Sequence, residues 1–341
     1  MESLAPTVSV IIPHHVGRKF IHRCLASLAI SEGVTFEVLV VTSDGTYYIP
    51  EPMEHWARHI YVEGGPAHKR NEGVRQTTGE TIVFLDDDTE VSPYFLYECV
   101  RGLQALPKAG MLFTRIYNGE RREELDDCGS WLTWTGFLYA RASNRTLSAV
   151  ELNQPTRCLA SKSAGCAIRR GAFYRAGGFD ASYFILGEET DLAWRVWLSG
   201  QEVWYWPSAV CWHWFNTGAK PVQDFYTLQR IHTYGCRNYL RLLTSNLGTL
   251  RLVRTLPWHL LAWLVAALGF LARGQPRRAG AIGQGVAQYL STLPATLRKR
   301  AQVQRQRVVS DAQLWPLVTT HIPWTYYPQR MIQYIWNGLH G

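Results

Sequence analysis

No two cysteines in this sequence stand at CxxC spacing, and the seven present (Cys24, Cys99, Cys128, Cys158, Cys166, Cys211 and Cys236) make an odd number. That usage argues against a zinc ribbon and a disulfide framework and reads as buried thiols in a reducing compartment. The first residues carry no apolar h-region and no cleavage signal, and a strand begins within ten residues, so the expected location is the cytoplasm. Without secretion, the Asn144-Arg145-Thr146 sequon carries no meaning. No repeat and no low-complexity linker is visible. The main apolar run, Leu256 to Ala272, is interrupted by His259 and falls short of the ~20 residues that a spanning helix needs. Acids almost vanish late in the chain: residues 225–341 hold fourteen Arg or Lys and one acid, Asp311, in a protein of net charge +8. Such a tail meets an anionic partner or stays solvated, and nucleic acid and anionic lipid are the two obvious candidates.

What is present exceeds one ordinary core. A chain of 341 residues suggests a catalytic domain with a substantial extension. With 47% hydrophobic and 18% charged residues it is a packed protein, not a disordered one. The fourteen tryptophans suit sugar-binding or membrane-interface surfaces as well as core packing. Val8–Pro13 reads as a buried parallel strand, residues 18–31 as a helix, Phe36–Val41 as a second strand, Ile60–Val62 as a third, 66–77 as a helix and Thr81–Leu85 as a fourth strand. This alternation predicts an α/β fold on a parallel sheet, whose ligands sit beyond the carboxyl ends of the strands. Three of those ends are polar: Pro13-His14-His15, Thr42-Ser43-Asp44 and Asp86-Asp87-Asp88. Residues 110–215 are less regular, with a strand expected at 111–116, a Gly-rich segment at 163–171, a helix at 189–199 and a strand near 202–206. From about 225 helical patterns dominate. The expected division is therefore 1–224 (with halves near 1–110 and 111–224) and 225–341, with the boundary at 218–225.

Three adjacent carboxylates at the end of a buried strand repel one another unless a cation joins them. Hard oxygen ligands suit Mg²⁺ or Mn²⁺. Alternation along a strand puts Asp86 and Asp88 on one face. The competing reading is a solvated acidic turn.

The order Val8-Ser9-Val10-Ile11-Ile12-Pro13, Val40-Val41-Thr42-Ser43-Asp44-Gly45, Lys69-Arg70-Asn71-Glu72-Gly73 and Phe84-Leu85-Asp86-Asp87-Asp88 resembles glycosyltransferase family 2. The resemblance continues through Ser163–Arg170, Gly177-Gly178-Phe179-Asp180, Gly187–Arg195 and Ala209–His213, so it covers about residues 7–216. It implies a GT-A fold and an inverting enzyme with a nucleotide-sugar donor. It places Pro13, His14, Asp44, Lys69, Arg70, Asp86 and Asp87 around the donor, and Asp88, Asp86 and His213 at the metal. It makes Glu189, next to Glu188, the catalytic base in Glu188-Glu189-Thr190-Asp191-Leu192, where relatives carry Glu-Asp-x-Asp-Leu. Two departures bear on base specificity. His14-His15 replaces the family's Thr/Ala-Tyr-Asn, and Thr42-Ser43 precede Asp44 where a strand-ending Asp is usual. The Gln-x-x-Arg-Trp motif of processive synthases is absent, so transfer of one or a few sugars is expected.

Arg237–Leu243 resembles the helix that follows the catalytic domain in bacterial rhamnosyltransferase-like members, which implies a lipid-linked or cell-envelope glycan acceptor. The donor would be a UDP-, dTDP- or GDP-sugar. The basic tail, with Trp258 and Trp263 in the apolar run and arginines at its borders, predicts peripheral or monotopic attachment to the cytoplasmic face of an anionic membrane, with no nucleic-acid partner. Homo-oligomerisation through the same helices is the competing use. Two other functions stay open. A sugar nucleotidyltransferase should carry a Gly-rich, Arg-containing loop, which residues 13–18 do not supply. An inactive GT-A scaffold would not need the intact acid set.

Overall fold

A computed structural model describes residues 7–15, 20–45, 47–49, 53–141, 148–214 and 228–337. The boundary expected at 218–225 and the sequon at 144–146 lie outside the described residues. The chain divides into two compact units: Met1–Trp131 with Ala140–Ala219, and Leu132–Tyr139 with Lys220–Gly341.

The strands are β1 (Val8–His14), β2 (Phe36–Thr42), β3 (Ala57–Tyr61), β4 (Thr81–Leu85), β5 (Thr89–Val91), β6 (Ala109–Asn118), β7 (Leu125–Asp127), β8 (Ser130–Leu132), β9 (Leu138–Ala140), β10 (Thr156–Arg157), β11 (Gly165–Arg169) and β12 (Glu202–His213). In the first unit the main sheet runs β10-β12-β6-β11-β4-β1-β2-β3, with β5 on β12 and β7 on β6. The first four strands are mutually parallel, as their unbroken apolar runs suggest. The sheet as a whole is mixed. β11 enters antiparallel between β4 and β6, while β12 lies parallel to β6.

Helices α1 (Ile21–Ala29), α2 (Pro66–Arg75), α3 (Phe95–Ala105), α4 (Ala149–Asn153), α5 (Arg170–Ala176) and α6 (Glu188–Leu198) belong to this unit. Ile21, Leu25 and Leu28 of α1 and Phe95, Leu96 and Leu103 of α3 join Val8, Val10 and Ile12 of β1 in one core cluster. Helix α2 starts with Pro66 at its first position, where the missing amide costs nothing. It lies close over β1 because Gly73 has no side chain: a Cβ there would come within 2.4 Å of Ile11 Cγ2. That close approach holds Lys69 and Arg70 at the polar strand ends. All seven cysteines are buried and unbridged.

The second unit holds α7 (Leu228–Asn246), α8 (Thr249–Ala272), α9 (Pro276–Ser291), α10 (Leu293–Gln306), α11 (Asp311–Val318) and α12 (Tyr326–Asn337). Its core joins Cys236 and Leu240 to Trp263, Phe270, Ile282 and Tyr334. The tip of the β8–β9 hairpin belongs to it. Phe137 stacks on His259 at 4.0 Å, and His259 Nδ1 donates to the Thr135 carbonyl at 2.9 Å. Trp263 Nε1 donates to His259 Nε2 at 3.0 Å, which fixes His259 as the neutral Nδ1–H tautomer. Helix α8 is longer than the apolar run that marks it, at 24 residues. It begins at Thr249 and takes Pro257 into its interior.

Candidate active site

The polar ends of β1, β2 and β4 stand beside the first turns of α2 and α6. From there the predicted residues sort into two networks. The first is built on Arg70, which is 2% exposed. Its Nη2 donates to Asp86 Oδ1 at 2.7 Å and its Nη1 to Glu188 Oε1 at 3.3 Å. One guanidinium therefore ties the strand-end acids to the start of α6 across 118 residues of sequence. Such a buried charge is tolerable only because two carboxylates face it.

His213 reaches this network through sheet register. β5 follows directly on the three aspartates and pairs antiparallel with the end of β12, Thr89 opposite His213. His213 Nε2 then lies 3.2 Å from Asp88 Oδ1 and 4.0 Å from Asp86 Oδ2. Asp86, Asp88 and His213 each offer a ligand atom, and these atoms lie within 4.8 Å of one another. Burial alone would lower the His213 pKa, but Asp88 and Asp126, with Asp86, outweigh it and raise it to about 10. A field that holds a proton so firmly suits a divalent cation as well. Two carboxylates and an imidazole are a donor set that fits Mn²⁺.

The second network braces the strand ends. Asp87, 1% exposed, turns away from Asp86 and Asp88 and meets His14 Nδ1 at 2.8 Å. Lys69 Nζ donates to the His14 carbonyl at 2.6 Å and to Ser43 Oγ at 3.0 Å, joining β1 to the loop after β2. Pro13 sits in β1 opposite Val41. Asp44 is half-buried in the loop after β2, where its amide donates to Thr42 Oγ1 at 2.9 Å.

Glu188 and Glu189 open α6 directly after a segment under backbone strain. Phe184 and Leu186 have φ of 66° and 69°, and Gly187 has 92°. Among the described residues they are the non-glycine positions in that region, and such strain concentrates at functional sites. Glu188 is buried and held by Arg70; Glu189 is half-buried. Burial raises the Glu188 pKa despite Arg70. Burial, reinforced by the charge of Glu188, pushes the Glu189 carboxyl well above the usual range. Asp191 pairs with Arg195 inside α6 at 2.7 Å, a structural role.

Sequence reasoning missed Asp126 and Lys162. Asp126 Oδ2 lies 3.8 Å from His213 Nδ1, and Asp126 Oδ1 lies 2.5 Å from Lys162 Nζ. The run Glu123-Glu124-Leu125-Asp126-Asp127 was the available signal, but it lies in the irregular middle of the chain, where no periodicity assigns it a place.

The family Glycosyl transferase family 2 matches residues 9–164. The O-antigen biosynthesis protein RfbC of Myxococcus xanthus is 28% identical over 214 residues, which cover 58% of this chain and 16% of that protein. The match thus spans well under two thirds of that relative's length. The mannosyltransferase PcManGT from Pyrobaculum calidifontis, solved in complex with GDP-Man and Mn²⁺, is similar with a TM-score of 0.54 at 16% identity, over 98% of this chain and 88% of that one. S. aureus TarS 1–349 in complex with UDP-GlcNAc is similar with a TM-score of 0.53 at 15% identity, over 96% and 89%. At these identities the structural likeness shows the fold, which is GT-A.

Proposed function

We propose that this chain, whose residues 9–164 match glycosyl transferase family 2, is a metal-dependent, inverting, non-processive enzyme that moves a sugar from a nucleotide donor to a glycan or lipid-linked acceptor. The observation that carries the reading is the convergence of Asp86, Asp88 and His213 beside the Arg70–Glu188–Glu189 group. Asp86, Asp88 and His213 would hold Mn²⁺ or Mg²⁺, which when bound neutralises charge on the departing diphosphate. Glu188 is occupied by Arg70, which leaves the half-buried Glu189 as the base. Its raised pKa suits removal of a proton from an acceptor hydroxyl. That oxygen attacks the anomeric carbon from the face opposite the nucleotide, the bond to the diphosphate breaks, and the configuration inverts. The braced ends of β1 and β2, with His14, Asp44 and Lys69 nearby, form the edge against which base and ribose would lie. The two solved relatives were bound to GDP-Man and UDP-GlcNAc, so the fold accommodates either type of base. The test is nucleoside diphosphate release from UDP-, GDP- and dTDP-sugars with a lipid-linked glycan acceptor, followed by NMR of the anomeric configuration. Full turnover in excess EDTA, or retention of configuration, would overturn the reading.

The helical unit supports a location at a membrane surface. Helix α8 buries Thr255, His259, Trp263, Ala266 and Phe270 on one side. On the other, Leu250, Val253, Leu261, Leu264, Leu268 and Leu271 are exposed at steps of three, four or twice four residues, so they form a stripe along the whole helix. By length and composition α8 is apolar enough to cross a membrane. Its buried side, however, packs on α7 and α9, and Arg254 of α8 and Arg277 of α9 are exposed. These arginines favour a helix lying in the interfacial plane, its leucines in the acyl boundary and the bases at the headgroups of an anionic cytoplasmic leaflet. The envelope pathway in the name of the RfbC relative fits an acceptor at that surface.

A further inference from the structure

Asp126 has no part in the chemistry above, yet it is placed against it. β7 pairs with the far end of β6, at Ile116 and Tyr117, beyond Met111–Phe113 where β11 pairs. Its two acids point to opposite faces, as neighbours on a strand must. Asp127 Oδ1 turns inward and accepts from Ser161 Oγ at 2.7 Å and the Gly129 amide at 2.8 Å, a closed structural role. Asp126 turns to the other face, where its Oδ2 lies 3.8 Å from His213 Nδ1. The imidazole thus faces carboxylates at both ends, with Nε2 toward Asp88 and Asp86 and Nδ1 toward Asp126 at ion-pair distance. Lys162 Nζ in turn lies 2.5 Å from Asp126 Oδ1.

We propose that Asp126 is a positioning residue that orients His213 toward the metal, with Lys162 fixing Asp126. An imidazole has two nitrogens, and only the one without hydrogen can bind a cation. A carboxylate facing Nδ1 favours the hydrogen on that nitrogen, which leaves the Nε2 lone pair toward Asp86 and Asp88. Outer carboxylates of this kind tune metal affinity by about 10–100-fold. The inference rests on the metal reading above.

The test measures Mn²⁺ affinity of the full chain by electron paramagnetic resonance, without donor or acceptor, so turnover is not the readout. Asp126→Asn should weaken Mn²⁺ binding by about 10–100-fold and reduce the histidine nitrogen modulation in the bound-Mn²⁺ spectrum. Lys162→Met should give a smaller loss of the same kind. Asp127→Asn should lower Tm and leave the nitrogen signal in place. Removing any nearby negative charge weakens cation binding somewhat, so the deciding measurement is Asp126→Asn in a His213→Ala background. Loss of most of the effect there supports action through His213. An equal effect in both backgrounds, or an undiminished nitrogen signal in Asp126→Asn, overturns the proposal. Absence of that signal from the unmodified protein, with His213→Ala binding Mn²⁺ as tightly, would instead overturn the assignment of His213 as a ligand.

Discussion

The two units handle charge in opposite ways. In the sheet unit, acids gather at strand ends and each meets a named cation or imidazole: Asp86 with Arg70, Asp87 with His14, Asp88 with His213, Asp126 with Lys162. In the helical unit Asp311 bonds Arg307 and caps the Gly248 amide, and much of the basic surplus is absorbed without acids. Arg300 donates to the carbonyls of Thr244 and Leu247, Arg273 donates to the Ile335 carbonyl and lies over Trp336, and Arg251 lies over Trp315. The count of fourteen bases therefore overstates what the unit presents outward. Among the described side chains, Arg254, Arg277, Arg298 and Arg305 are the exposed ones that a headgroup could meet. One unit has built a field for a cation; the other has placed arginines around an exposed apolar stripe.

Breaking the field should have the largest effect. Glu189→Gln should cut turnover by roughly 10²–10⁴-fold while donor binding, read by calorimetry, stays nearly intact. If Glu188→Gln is the dead variant and Glu189→Gln is not, the roles of the two are exchanged. Asp88→Asn should abolish the Mn²⁺ dependence of donor binding. Since burial raises the Glu189 pKa, kcat/KM should climb with pH beyond the range of an ordinary carboxylate; a profile flat across that range would remove Glu189 as base.

Acid should act next, and on the helical unit. Burial lowers the pKa of both His259 and His232 to about 4. The unfolded chain takes up these protons near pH 6.5, so the stability each neutral imidazole contributes is present above that pH and lost as pH falls toward 4. For the fully buried His259 the loss is on the order of 3 kcal/mol, at about 1.4 kcal/mol per pKa unit. Denaturation followed by Trp fluorescence should show it, and His259→Phe should flatten the dependence. Unchanged acid sensitivity in that variant would discount His259.

The stripe offers the smallest and sharpest contrast. Leu264→Glu with Leu268→Glu should reduce flotation with anionic vesicles on the order of tenfold or more, since each replaces apolar area with a charge of the wrong sign. High salt should weaken binding of the unmodified chain only in part. Equal recovery with neutral and anionic vesicles would remove the electrostatic half of the reading. A full-length chain that does not float and sediments as a dimer would hand the stripe to a second copy.

How far these features could be read from the sequence depended on range. Strands β1, β2 and β4 are contiguous apolar runs ended by polar residues, so their ends, and Asp86–Asp88 with them, were legible directly. His213 and Glu189 were found through the order of motifs, because no local pattern ties residue 213 to residue 88; only the β5–β12 register does. β7 escaped notice because a strand of three residues has no period, and Asp126 went with it. Helix α8 was read short because Arg251, Arg254 and Pro257 break the apolar run but not the helix. Pro257 lies inside the helix and forfeits its own amide bond to the carbonyl four residues back, while the helix start is held where the Gly248 amide is met by Asp311 Oδ2 at 2.9 Å.

The hairpin tip at Leu132–Tyr139 has a practical consequence for anyone who would cut or recombine this gene. The tip is encoded in the middle of the sheet unit, yet Phe137 and Trp134 are lodged among Tyr239, His259, Trp258 and Tyr327. A stop codon near residue 225 would strip those aromatics of their neighbours and leave a greasy, aggregation-prone finger on the remaining piece. A chimera that borrows the helices of a relative should borrow the matching tip too, because the two pack as one unit despite the ninety or so codons between them.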